Sequence, residues 1–284
     1  QSKPTNPSPN TYEKVRQLFL KPPAEFRSAP LWVWNDRMTN KQIDEQLTDF
    51  KARGIGGVFI HPRPGLITEY LSDEWFALCR YAVKRGKELG MKIWIYDENS
   101  YPSGFAGGHV PAQMPDAVRC GLGMNHVKDL PTTRATEPFL VLQKSQEQFL
   151  DITKDTKSKT FATGDYYVFT VIQQKPNPWY GGFTYVDLMR RDVTEKFIDV
   201  TMNAYKRAIG NEFGKVVPGV FQDEAEVNPA SQPGMPSVNY TPALFKKFES
   251  RWKYDLRLNL PSLYEDVGEW QRVRHDFYST ILDL

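Results

Sequence analysis

Cysteine is scarce in this sequence, which has only Cys79 and Cys120 among its 284 residues. Two cysteines cannot build the disulfide framework of a small secreted domain. No apolar run approaches the ~18 consecutive residues of a membrane span. The net charge of +2 gives no reason to expect a nucleic acid or an anionic membrane as a partner. Because the phosphate-binding loop, the dinucleotide fingerprint and the Gly-x-Ser-x-Gly elbow are also missing, nucleotide-dependent and serine-hydrolase chemistry are disfavoured.

What the sequence does contain is a repeated unit of strand and helix, about thirty residues long. Apolar runs that end in polar residues predict the strands. These runs are Ala29–Asp36, Gly56–Arg63 and Met91–Glu98. Thr39 or Asn40, and further on Ser72, can cap the helices between them. Gly54 and Gly90 are placed to end these helices. Alternating strands and helices are typical of a parallel sheet whose crossovers are helical.

The repeat breaks after the third strand, where we predict a β-rich insertion at about residues 105–182. Period-two patterns predict strands over Phe139–Leu142 and Tyr166–Ile172. The repeat resumes with a fourth predicted strand over Phe183–Leu188 and a fifth over Val216–Phe221. A long insertion after a barrel strand usually forms part of the active or binding site.

We therefore predict an α/β fold of the (β/α)8 TIM-barrel type, incomplete in this chain, with about five core strands. Residues 1–26 are assigned to an N-terminal leader and a short helix, and residues 27–284 to the barrel catalytic domain. A closed barrel needs eight strands. The chain is therefore either a fragment of a longer protein, which we favour, or an open sheet.

Two glutamates carry the functional prediction, because each follows an Asp at the end of a strand. Glu98 ends the third strand and Glu224 the fifth. Parallel strands bring their carboxyl ends to one rim, where two carboxylates across a cleft are the usual equipment for glycoside hydrolysis. The alternative is that each acid forms an ion pair with an Arg or a Lys on the rim.

Other polar and aromatic residues near these strand ends are candidates for sugar binding. The candidates are His61, Arg63, Asp97, Asn99, Asp223, Trp34 and Trp179. His61 could instead only shape a turn before Pro62, and Trp179 could equally be a packing residue beside a tight turn. The carboxylates of Asp187, Asp192, Asp223 and Glu226 offer hard oxygen ligands for calcium, without a regular loop spacing.

Four motifs in this order resemble the catalytic barrel of family 106 glycoside hydrolases, the α-L-rhamnosidases. They are Pro30–Asn35, Gly56–Leu66, Tyr96–Gly104 and Phe221–Glu224. The resemblance runs from about residue 27 to the end of the chain. It implies an inverting glycosidase on a (β/α)8 barrel that cleaves α-L-rhamnosyl or similar bonds in an oligo- or polysaccharide.

The resemblance also implies details of the site. It places the carboxylate pair at Glu98 and Glu224, and we expect Glu224 to be the acid and Glu98 the base. It implies a calcium ion near the sugar, with Asp192 as the tentative ligand. Members of the family are much longer, with further barrel strands and β-sandwich domains, so we expect further domains in a longer parent chain.

Export to the periplasm or the extracellular space is expected for such an enzyme. The opening Gln1-Ser2-Lys3-Pro4 fits a mature end left after signal removal, although a cloning boundary would look the same. The alternative function is a non-catalytic carbohydrate-binding protein, or an inactive barrel fragment. Aromatic residues, His61 and Arg63 would serve binding as well as catalysis, whereas a pair of acids on two strand ends favours catalysis.

Overall fold

A computed structural model describes residues 11–130, 137–146 and 148–284. The chain divides into two compact units. The first runs to Gly107 and includes Ile198–Ala225, and the second comprises Gly108–Phe197 and Glu226–Leu284. Asp97, Glu98, Asp223 and Glu224 therefore all belong to the first unit.

The helices and strands follow the chain in this order. The α-helices are α1 (Tyr12–Leu20), α2 (Asn40–Ala52), α3 (Asp73–Leu89), α4 (His109–Gln113), α5 (Arg191–Val200), α6 (Met202–Ile209), α7 (Leu244–Trp252) and α8 (Trp270–Ile281). The strands are β1 (Leu31–Trp34), β2 (Gly57–Pro62), β3 (Lys92–Tyr96), β4 (Cys120–Val127), β5 (Leu140–Ser145), β6 (Gln148–Asp151), β7 (Tyr166–Gln173), β8 (Val220–Phe221) and β9 (Ser237–Tyr240). Short 3₁₀ helices span Ala24–Phe26, Ala106–Gly108, Asp155–Lys157, Pro178–Tyr180, Gly210–Glu212 and Arg257–Leu263.

The first unit is built on a parallel sheet with the strand order β1-β2-β3-β8. The predicted caps are confirmed: the hydroxyl of Thr39 accepts the Gln42 N–H, and that of Ser72 accepts the Trp75 N–H. Gly90 ends α3 in the left-handed conformation, with φ of 64°, where glycine carries no steric penalty.

One face of this sheet forms a core with α2, α3 and α6. Its buried apolar side chains include Ile43, Leu47, Val58, Ile60, Trp75, Cys79, Val83, Ile93, Ile95, Tyr205 and Ile209. The indole N–H of Trp75 donates to the Tyr205 hydroxyl at 3.1 Å. The helices are therefore held against the sheet by burial of one apolar stripe each.

The parallel sheet has four strands, not the five that we predicted. Phe183–Leu188 does not form a strand, and only Val186 makes an isolated antiparallel bridge, to Val118. The reason is a turn at Asp187, whose carboxylate accepts the Met189 N–H and whose carbonyl accepts the Arg190 N–H. In the described part of the chain the sheet does not close into a barrel, because β1 and β8 each pair on one side only.

The second unit contains an antiparallel sheet with the order β6-β5-β7-β4-β9. Strand β7 matches the predicted Tyr166–Ile172 closely, whereas β5 overlaps the predicted Phe139–Leu142 and extends further, to Ser145. Helices α7 and α8 cover this sheet through a core of buried side chains. These side chains include Leu122, Leu140, Phe169, Val238, Leu244, Phe248 and Phe277. The fold is thus mixed α/β, with a parallel sheet and a β-rich part, as predicted in outline.

Close packing at the start of β2 explains the Gly56-Gly57 pair. A Cβ atom at Gly57 would lie 2.7 Å from the backbone carbonyl oxygen of Lys92 in the neighbouring strand.

We expect Gly57→Ala to lower the free energy of unfolding by about 1–3 kcal/mol, because the backbone of β3 cannot move away without strain. Urea denaturation measures this change. Gly210→Ala is the matched control, since its Cβ would meet only the mobile side chain of Lys206 at 3.2 Å. Equal stabilities of the two variants would contradict the prediction.

Candidate active site

The polar residues that follow β3 and β8 are joined by one serine. The hydroxyl of Ser103 donates to Asp97 Oδ1 at 2.5 Å and accepts the backbone N–H of Asp223 at 2.9 Å. The backbone N–H of Ser103 in turn donates to the Asp223 carbonyl at 2.7 Å. Ser103 therefore links the carboxyl ends of two neighbouring parallel strands, where sites in α/β sheets form.

Burial changes the ionisation of Asp97, which is only 4% exposed. It raises the pKa of Asp97 to about 6, and the negative charge of Asp223 acts in the same direction. The hydrogen bond from Ser103 acts against this shift. Asp97 therefore changes its charge in a mildly acidic range where an unperturbed Asp would stay ionised.

His61 and Tyr96 extend this network across the sheet. The two rings meet edge to face with their centroids 4.0 Å apart, and the Tyr96 hydroxyl donates to Asp223 Oδ2 at 2.6 Å. Burial and the positive charge of Arg63 lower the pKa of His61 to about 4. The imidazole is therefore neutral near pH 7. Its buried Nδ1 has no hydrogen-bond partner among the described residues.

Glu98 is fully buried, and backbone N–H groups surround its carboxylate. Oε2 accepts from Gly104, Phe105 and Ala106 at 3.1, 3.1 and 2.7 Å. Oε1 accepts from Asn99 at 2.9 Å and also from Gly107. Consecutive N–H groups that converge in this way form an anion-binding nest. Here the anion is supplied by the chain itself.

Positive φ angles make this nest possible. Gly104, Ala106 and Gly107 have φ of 140°, 51° and 60°, which turns successive N–H groups towards one point. Burial raises the pKa of Glu98, and the hydrogen bonds from the backbone N–H groups of Asn99, Ala106, Gly107 and Gly104 act against this shift. N–H donors face both oxygens, so the geometry favours the ionised carboxylate, because the O–H of a carboxylic acid would meet a donor. With 0% exposure, the carboxylate has no open side for a substrate. The geometry favours Glu98 as the anchor of the loop after β3, and its role in catalysis stays a prediction.

Glu224 lies in the opposite environment. Its side chain is exposed and makes no hydrogen bond or ion pair within the described residues. Its backbone has φ of 48°, a conformation that costs energy for a residue other than glycine and often occurs at functional sites. Arg63 and Asn99 are partly exposed at the ends of β2 and β3, and the Arg63 guanidinium lies 5.0 Å from the centre of the Tyr101 ring.

Trp34, which we expected to contact substrate, belongs to the core instead. It is 0% exposed and meets Trp32 and Trp75 edge to face, each at 5.2 Å between ring centroids. The reason is the alternation along β1, which buries Trp32 and Trp34 and exposes Leu31 and Val33.

Two further candidates lie in the second unit. Trp179 is 40% exposed in the 3₁₀ turn Pro178–Tyr180, which the side chain of Asn177 caps. Asp192 forms a two-pronged ion pair with Arg190, whose positive charge lowers the pKa of Asp192. Arg190 also pairs with Asp116 at 2.8 Å. Asp192, the tentative calcium ligand, is therefore already paired with a guanidinium, and calcium binding stays a prediction. Within the described residues, no group of three or more His, Cys, Asp or Glu side chains could hold a metal ion.

Sequence reasoning missed Ser103, Tyr96 and the N–H groups of residues 104–107. Gly104, Gly107 and Gly108 were a usable signal, since closely spaced glycines allow the positive φ angles that a nest requires. Nothing in the sequence marked Ser103 as the residue that joins Asp97 to Asp223.

No family model matches this chain, and no curated protein matches it. Among solved structures, the chain is similar to a rhamnosidase from Novosphingobium sp. PP1Y, with a TM-score of 0.57 and 13% sequence identity. The match covers 95% of this chain and 44% of that chain. The chain therefore has a rhamnosidase-like fold and spans less than half the length of that rhamnosidase. No helix in the described ranges is long and apolar enough to cross a bilayer.

The nest predicts different costs for two conservative substitutions. We expect Glu98→Gln to lower the free energy of unfolding by about 2–4 kcal/mol, because the amide NH₂ would face N–H donors and leave them unsatisfied. Glu224→Gln, the matched control at an exposed site, should change it by less than about 0.5 kcal/mol. Urea denaturation of both variants measures the difference. A Glu98→Gln protein as stable as the control would refute the anchor role.

The raised pKa of Asp97 predicts a pH-dependent stability. Folding favours the protonated form, so this contribution is fully present below about pH 4 and is lost as the pH rises towards about 6. The stability of the wild type relative to Asp97→Asn should therefore fall over this range by about 3 kcal/mol. Denaturant titrations at a series of pH values test this. Parallel pH profiles for the two proteins would contradict it.

Proposed function

We propose that this chain forms part of a glycoside hydrolase that cleaves α-L-rhamnosyl or similar bonds. The observation that carries the proposal is Glu224, an exposed carboxylate after β8 that has a left-handed backbone conformation and makes no hydrogen bond or ion pair with any described residue. It directly follows Asp223, which the Ser103 network ties to Asp97. The fold that the chain shares with a rhamnosidase supports the same reading.

Glu224, Asp223 and Glu98 have different chemical roles in this proposal. Glu224 reaches solvent and can donate a proton to a leaving glycosidic oxygen or activate water. Asp223 is partly exposed beside it, with one oxygen held by the Tyr96 hydroxyl. Arg63 and Asn99 are placed to donate hydrogen bonds to sugar hydroxyls. Glu98 acts through the loop that it anchors, and is therefore a positioning residue in this proposal.

A second candidate function is carbohydrate binding without turnover. The burial of Glu98 favours it, because a second carboxylate that is enclosed by backbone N–H groups cannot reach a sugar. Binding would need only the exposed donors and acceptors at the strand ends.

Two measurements test the proposal. The first is hydrolysis of a panel of nitrophenyl glycosides that includes the α-L-rhamnoside, and the second is the binding of L-rhamnose measured by calorimetry. We expect turnover by the wild type and a loss of about 10²-fold or more in kcat for Glu224→Gln, the usual scale for a general acid or base. Glu195→Gln, at an exposed position of α5, is the control. Rhamnose binding without turnover would favour the binding function, and the absence of both would refute the two together.

A further inference from the structure

A groove on the outer helices of the first unit concentrates positive charge. It lies between the second half of α3 and the end of α6 and has a volume of about 340 Å³. Five cationic side chains and one carboxylate line it. The cations are Arg80, Lys84, Lys87, Lys206 and Arg207, and we call this the basic groove. The chain as a whole has a net charge of only +2, so this concentration is local.

Most of these cations have no counter-charge among the residues that the structure describes. Lys87 pairs with the carboxylate of Glu212 at 2.7 Å. Arg80, Lys84, Lys206 and Arg207 are exposed and make no ion pair within the described residues. Clustered like charges create a positive potential that attracts anions. An anion in the groove would therefore reduce the repulsion among these four cations.

The packing beneath the groove fixes its two walls. Val83 of α3 and Ile209 of α6 are buried at its base. Two turns earlier along α3 and one turn earlier along α6, Phe76 and Tyr205 meet edge to face at 5.3 Å between ring centroids. The two helices that carry the cations are therefore packed against each other. Arg80, Lys84 and Lys87 follow one stripe of α3, with steps of about 4.5–6 Å along the helix axis, roughly the length of one sugar ring.

The groove is separate from the candidate active site. Helix α3 ends where β3 begins, so the second half of α3 lies at the amino end of the parallel sheet. At that end the Ile93 N–H donates to the Val216 carbonyl, whereas Asp97 and Asp223 lie at the carboxyl end. A long chain molecule could contact both ends of the unit, but a monosaccharide could not.

We propose that the basic groove binds an acidic polysaccharide whose sugar units carry carboxylate groups. The planar guanidinium groups of Arg80 and Arg207 suit carboxylates, which they can bind with two parallel hydrogen bonds. Among the described residues, none that lines the groove is an aromatic on which a nucleic acid base could stack. The choice of a polysaccharide rests on the proposed glycosidase function.

Binding of polygalacturonate, with neutral dextran of similar length as a comparison, tests this proposal. Lys84→Gln/Arg207→Gln removes two charges from the groove. Lys154→Gln/Lys246→Gln is the matched control, since it removes two charges from exposed positions that make no ion pair within the described residues. We expect the groove variant to bind polygalacturonate about tenfold more weakly than the wild type, and the control to stay within about twofold. Raising the salt from about 50 to about 200 mM should weaken wild-type binding steeply.

Three outcomes would overturn the proposal. These are no wild-type binding, equal losses in the two double variants, or tighter binding of dextran sulfate or duplex DNA than of polygalacturonate. Hydrolysis of a neutral nitrophenyl glycoside by the same variants separates this proposal from the proposed function. Polygalacturonate binding without any hydrolysis would contradict the glycosidase and leave the groove in place, whereas hydrolysis without polygalacturonate binding would do the reverse.

Discussion

The enclosed carboxylate of Glu98 is the interaction on which the strand-end site depends. A buried charge is costly unless it is fully hydrogen-bonded. Five backbone N–H groups meet that demand and fold the chain after β3 into one loop. Ser103 lies in this loop and links Asp97 to Asp223. The anchor, the loop and the site are therefore one structural unit.

Four acids near the same strand ends have different properties because their surroundings differ. Glu98 is enclosed by N–H donors, and Asp97 is buried with one hydroxyl donor. Asp223 is partly exposed and accepts a hydrogen bond from Tyr96, while Glu224 is exposed and has no partner in the part of the chain that the structure describes. Differences of this kind separate acids that hold a structure from acids that can do chemistry. Among these four acids, Glu224 is therefore the carboxylate most accessible to a ligand.

The parallel sheet is open in the described part of the chain. Its outer strands β1 and β8 each use one edge, and β1 exposes Leu31 and Val33 on the face away from the helices. The rhamnosidase with the same fold is more than twice as long as the matched region. The shared fold therefore corresponds to less than half of that rhamnosidase.

The sequence by itself determined the elements of the first unit, because local chemistry specifies them. Ser72 caps α3, Gly90 ends it, and polar residues mark where β2 and β3 end. Only the tertiary structure decided the function of each polar residue. Apart from the Asn99 N–H, the N–H groups that donate to Glu98 lie six to nine residues further along the chain, in a loop with positive φ angles. Ser103 forms its hydrogen bond with Asp223 across 120 residues of sequence. Burial and long-range hydrogen bonds, which no sequence pattern records, therefore separated the anchor Glu98 from the exposed Glu224.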